Sequence, residues 1–154
     1  MKMIKKVFLV IVSLLVGLSS FSQADKVVGY WQTENGKGQI QVYKADNGQY
    51  YGKIVWLKSP NDDSGKPRTD SKNANTNLQK RPLLQLNLLS HFAYNASSKE
   101  WENGAIYDPE SGSTYKCFMW FENNNFDLLF LKGYVGFSFI GRTSKWKREA
   151  TLRH

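Results

Sequence analysis

Residues 104–117, GAIYDPESGSTYKC, read as two β-rich arms around a turn, and this hairpin limits what the rest of the chain can become. Pro109 sets φ for the first corner of a type I turn, Asp108 can accept from the turn's own amides, and Gly112 can take the positive φ that closes a short loop. The arms must pair as antiparallel neighbours. Along the second arm, residues 113–121, Tyr115, Cys117, Met119 and Phe121 fall on one face and Lys116, Phe118 and Trp120 on the other, so both faces carry rings.

The same alternation recurs on either side. Residues 27–33 set Val27, Gly29, Trp31 and Thr33 against Val28, Tyr30 and Gln32, residues 39–44 set Gln39, Gln41 and Tyr43 against Ile40 and Val42, and a third strand covers 49–57. Residues 86–94 give a fourth strand, after a brief helical turn over 78–84 that Pro82 can open, and 100–107 form the first arm of the hairpin. Residues 126–131 are apolar nearly throughout, as in a strand covered on both sides, and a last strand spans 142–149. Gly133, Gly136 and Gly141 punctuate 134–140 and point to close backbone approach or a bulged corner, while 150–154 read as a frayed end. Turns about every ten residues and no long helix predict an all-β chain, a single antiparallel eight-stranded barrel with at most one short helical turn. Pairing first strand with last removes the edges and leaves an interior that is packed or holds one small ligand.

Residues 1–24 stand apart from this pattern. Lys2, Lys5 and Lys6 form a basic head, 7–18 an apolar run, and Ser22-Gln23-Ala24 the small residues a signal peptidase reads. The run is shorter than the roughly 20 residues a membrane-spanning helix needs. Cleavage after Ala24 is therefore expected, with export of 25–154 as one domain, periplasmic or secreted and not embedded in a membrane. The formal charge of +8 falls to +5 without the three leader lysines, leaving 18 basic against 13 acidic residues. The basic residues are dispersed apart from Lys145-Trp146-Lys147-Arg148, which argues against nucleic acid as a partner. Cys117 is the only cysteine, so no internal disulfide braces the fold, and a monomer held by its core is expected.

Residues 59–77 break the pattern: Pro60, Asp62, Asp63, Gly65, Pro67, Asp70, Asn73, Asn75 and Asn77 leave no apolar periodicity. A loop of this length is either a lid or binding edge or a solvated crossover.

Several motifs resemble those of the secreted bacterial family known as domain of unknown function 2147. They are Gly29-Tyr30-Trp31, Tyr51-Gly52-Lys53-Ile54-Val55-Trp56, Gly65-Lys66-Pro67 with Asp70 and Asn73, Arg81-Pro82-Leu83-Leu84, and 104–115. Leu131-Lys132-Gly133-Tyr134 and Gly141-Arg142-Thr143-Ser144-Lys145-Trp146 complete the set. The chain departs at Ala74, where the family usually has Pro, and at Gln85, where it usually has Gly. The resemblance implies a lipocalin-like barrel and no established activity. It also sets Gly29-Tyr30-Trp31 beside the first-strand motif of lipocalins, with Trp31 at the closed end, Arg142 across it as a cation on an indole, and Gly29 bending the strand.

Candidate chemistry is sparse. Asp108 and Glu110 are paired carboxylates, yet they flank Pro109 in a turn. Asp62, Asp63, Asp70, Asn73 and Asn75 match no cation-binding loop spacing, and His91 and His154 assemble neither a triad nor a metal site. No cofactor or metal is expected, and Cys117 reads as a buried thiol. Trp56, Tyr107, Tyr115, Trp120 and Phe137 are candidate pocket rings, most of them expected in the core, and Tyr115 and Met119 are the first choices for cavity walls. The leading expectation is an exported module for a small apolar or amphipathic ligand. A solid barrel that contacts a protein or glycan comes second and a hydrolase-type enzyme third.

Overall fold

The computed structural model describes residues 23–154, so the leader expected over 1–24 lies outside the described residues apart from Gln23 and Ala24. Eight strands follow in order: β1 (Gly29–Gln32), β2 (Gly38–Lys44), β3 (Tyr50–Leu57), β4 (Asn87–Asn95), β5 (Glu100–Asp108), β6 (Ser113–Phe121), β7 (Leu128–Tyr134) and β8 (Gly141–Glu149). Each pairs antiparallel with the next, and β1 pairs with β8, closing the barrel as the strand count predicts. The arms of the central hairpin pair as expected, with Ile106 opposite Tyr115 and Asp108 opposite Ser113. Its turn closes as its residues dictate: the Glu110 amide donates to Asp108 Oδ1 at 3.0 Å, the Gly112 amide to the Asp108 carbonyl at 2.8 Å, and Gly112 sits at φ +74°.

One end of the barrel is solid. Trp31, Trp101, Phe92, Met119 and Leu129 have no solvent exposure, and burial of such a side chain stabilises by roughly 1.5–3 kcal/mol. Phe121 packs its ring on both indoles, 5.9 Å from Trp31 and 5.5 Å from Trp101. Gly104 is a close-approach position here, since a Cβ would lie 2.4 Å from the Phe92 ring. The first strand was expected to begin at Val27. Instead Asp25–Val27 forms a 3-10 turn that plugs this end, because the buried Trp31 indole needs an acceptor and the Val27 carbonyl supplies one at 2.9 Å. A second 3-10 turn lies at Thr76–Leu78, before most of the expected 78–84, so the described residues hold two short turns where at most one was expected.

The other departures lie at connections. β7 spans Leu128–Tyr134 rather than 126–131, and Gly141 is a close approach as expected, its missing Cβ sitting 2.4 Å from the Gly133 carbonyl. The C-terminal end is not frayed. It crosses the outside of the barrel, where Gln39, fully buried, donates to Glu149 at 2.6 Å and to the Thr151 carbonyl at 2.9 Å and accepts from the Arg153 amide at 3.0 Å. An unsatisfied buried amide is costly, so three partners for one side chain fasten the tail.

Candidate functional site

The half of the barrel away from the 3-10 plug is open. Its cavity measures about 880 Å³ and is walled by Ile40, Ile54, Ile106, Leu131 and Trp146, with Gly133 and Ser144 where larger side chains would have filled it. Strand alternation explains the walls of β8: Arg142, Ser144 and Trp146 share one parity and face in, and the Trp146 indole is satisfied by Ser144 Oγ at 3.1 Å. On β4 a register slip opposite Gly52 and Lys53 leaves Leu88 over, so that Leu88 lines the cavity while the adjacent Leu89 is buried in the core.

Charge gathers at the mouth. Glu34 and Lys37 come from the β1–β2 connection, Asp108 and Glu110 from the central turn, and Arg142 from the start of β8. Lys37 and Glu110 meet at 3.5 Å, both well exposed, in an ion pair between two separate hairpins of the rim. The paired carboxylates thus have local partners, since Asp108 also accepts from Ser111 Oγ at 2.7 Å.

The cavity candidates named from sequence divide three ways. Tyr115 lines the cavity as expected. Tyr107 borders it, but its hydroxyl donates to Asp70 at 2.5 Å. Met119 is a correction: it is fully buried in the packed half and does not line the cavity, because it lies one strand repeat deeper than Cys117. Trp56 is a second correction. It lies under the tail, with the Arg153 guanidinium carbon 4.8 Å from its ring centroid. Trp120 stacks between Phe118 and Phe130 on the outside, and Phe137 is exposed at the tip of the β7–β8 connection.

Arg142 is the third correction. It does not cross Trp31. Arg148 does, with its guanidinium carbon 4.2 Å from the indole centroid. Antiparallel pairing sets the early residues of β1 beside the last residues of β8, and Trp31 is opposite Arg148. Arg142 and Arg148 share a parity, so alternation alone could not separate them, but strand direction could. Gly29 serves this contact as much as any bend: at φ +140°, a Cβ there would lie 2.8 Å from the Arg148 guanidinium.

The long loop is a wall fixture and not a lid. Asp70 is fully buried and accepts from Tyr107, from Asn73 Nδ2 at 2.8 Å and from Arg81 Nε at 2.8 Å, with Arg81 Nη2 at 2.7 Å. Burial pushes its carboxyl up, but the three donors and the Arg81 charge outweigh this and hold it below the usual carboxylate range. Gly112 allows the loop to seat on the central turn, for a Cβ would stand 2.0 Å from the Lys72 carbonyl. No residue between 58 and 87 lines the cavity.

Cys117 is a buried thiol, as its mid-strand position predicts, and desolvation pushes it up to about 12, far from thiolate chemistry at neutral pH. His91 meets the Tyr51 hydroxyl at 2.9 Å in an exposed contact. Among the described residues no group of three or more His, Cys, Asp or Glu side chains could hold a metal ion.

A closed eight-stranded antiparallel barrel with an indole-capped floor and an open mouth defines a lipocalin-like protein. The solved structure described as "Protein HP1028 from the human pathogen Helicobacter pylori belongs to the lipocalin family" shares this fold, with a TM-score of 0.66 and 21% identity over 80% of this chain and 83% of that one. Residues 29–148 match the family described as "Uncharacterized protein conserved in bacteria (DUF2147)", and the chain belongs to it. No curated protein matches the sequence.

Proposed function

We propose that this protein is an exported module of the bacterial cell envelope that takes one small apolar or amphipathic ligand into the open half of its barrel. The cavity carries the reading: about 880 Å³ falls within the roughly 300–1,000 Å³ of ligand pockets, with aliphatic and aromatic walls below and charge at the rim. A cavity of this size also weighs against the solid interior on which an interaction module would rest. The match to an amphipathic ligand is one of gradient. A hydrocarbon chain would lie along Ile54, Ile106 and Leu131, and an acidic head would meet Arg142 at the mouth.

Native mass spectrometry of the exported form, followed by titration of the delipidated protein with a fluorescent fatty acid, tests this. Saturable binding of one molecule per chain is expected. Ile106→Trp combined with Leu88→Trp should narrow the cavity and weaken binding at least tenfold. Arg142→Ala should weaken binding of the acid and leave that of the matching alcohol unchanged. A protein that carries no ligand and binds no member of a panel of fatty acids, isoprenoids and their alcohols is not such a module.

A further inference from the structure

Among the described residues the connection between β7 and β8 is the most apolar exposed feature. Val135, Phe137, Phe139 and Ile140 keep 72%, 69%, 75% and 60% of their surface in solvent, and the two phenylalanine rings stack at 5.5 Å. Among the described residues the other exposed large apolar side chains are Val28, Leu78, Leu84 and Leu152, scattered and none above 39%. The tip is shaped by its own backbone: Gly136 turns at φ +74° and the Ile140 amide donates to the Phe137 carbonyl at 3.0 Å. Rings held outward on an ordered turn gain nothing for folding, and a contiguous exposed apolar patch marks an interaction site.

Charge identifies what the tip meets. Residues 128–148 contain no acidic residue, and the strands that carry the loop place two cations near it, Lys132 opposite Thr143 and Arg142 opposite Gly133. Lys116, opposite Tyr134, adds a third cation near the loop on the neighbouring strand. Lys132 is three residues from Val135, about 10 Å along a strand. That is the depth to which interfacial segments bury their apolar side chains while cations stay with the headgroups. The outer face of β6 and β7 is aromatic beside the loop, where Phe118 meets Tyr134 at 6.2 Å, the level at which Trp and Tyr favour a membrane interface. The acidic rim residues Glu34, Asp108 and Glu110 sit on other hairpins, so the β7–β8 edge would lead and the mouth would tilt toward the surface.

We propose that the loop between β7 and β8 inserts its four apolar side chains into the interface of an anionic lipid bilayer, with Lys116, Lys132 and Arg142 against the headgroups. Val135 and Ile140 also line the cavity, so docking places its opening at the lipid surface. The proposal stands on the loop and does not depend on what fills the cavity.

The test is co-sedimentation of the protein lacking its first 24 residues with vesicles of phosphatidylcholine alone or mixed with phosphatidylglycerol, at low and high salt. Binding to the mixed vesicles is expected, several-fold weaker at high salt and at least tenfold weaker for Phe137→Ser combined with Phe139→Ser. Lys132→Glu with Lys116→Glu should remove the preference for anionic lipid. The serine variant should keep its thermal midpoint and its affinity for the fluorescent fatty acid, which separates this surface from the cavity. Absence of vesicle binding, or binding that ignores both lipid charge and the phenylalanines, overturns the proposal. So does a concentration-dependent dimer that the serine variant abolishes, since it would assign the tip to a second copy of the chain.

Discussion

Arg148 lies across the indole of Trp31, and the same guanidinium donates to the carbonyls of Phe126 at 2.8 Å and Val28 at 3.0 Å and to that of Lys26. One side chain thus ties β8 to the 3-10 plug, to β1 and to the approach to β7. Burial lowers its pKa, while the Asp127 carboxylate opposes that shift, and a guanidinium stays charged in proteins.

Arg148→Ala should therefore destabilise the barrel by about 2–3 kcal/mol, through the lost cation–π contact and the carbonyls left without donors. Arg148→Lys should recover less than half, because an ammonium cannot span those acceptors. Arg142→Ala should change stability by no more than about 0.5 kcal/mol, as an exposed rim residue. Urea unfolding of the three variants decides it, and a larger loss at Arg142 would reverse the assignment.

Asp70→Asn should cost about 2 kcal/mol at neutral pH, less than for a fully buried pair because Arg81 is partly exposed. The folded carboxyl titrates below its unfolded value, so its contribution is complete above about pH 4 and is lost as the pH falls through the lower folded value. The gap between wild type and Asp70→Asn should be level from neutrality to about pH 5 and shrink in stronger acid. A gap that persists unchanged to the lowest pH at which the protein folds would mean that the charge of Asp70 does not hold the loop.

Gln85 sits at φ +72°, where a side chain is strained. Gln85→Gly should stabilise by about 0.5 kcal/mol, the relief of left-handed strain less the entropy a glycine adds to the unfolded chain. Gln85→Ala keeps the Cβ and should show no such gain in thermal unfolding.

The Trp101 indole donates to the Ala24 carbonyl at 3.0 Å, across the expected cleavage point. Export with cleavage after Ala24 predicts Asp25 as the first residue on N-terminal sequencing, and this product loses that acceptor. A chain begun at Gln23 should be about 1 kcal/mol more stable than one begun at Asp25, as measured by denaturant unfolding. Equal stability would mean that water or a neighbour replaces the carbonyl without loss.

Much of the barrel is legible in the chain because its signals are local. Period-two alternation, Gly112 and Pro109 in the central turn, and Gly, Asn and Asp between strands specify eight antiparallel segments without reference to anything distant. Tyr115 as a cavity wall and Cys117 as a buried thiol follow from the same parity. What escaped was set by depth and by register around the closed sheet. Alternation says that Arg142 and Arg148, or Tyr115 and Met119, face inward, but not how far along the axis each one sits. Closure decided that, by pairing Trp31 with Arg148 and sinking Met119 into the packed half. Trp56, Gln39 and Asp70 were fixed by partners 97, 114 and 37 residues away, Arg153 for the first two and Tyr107 for the third, and no periodicity reports a contact of that span.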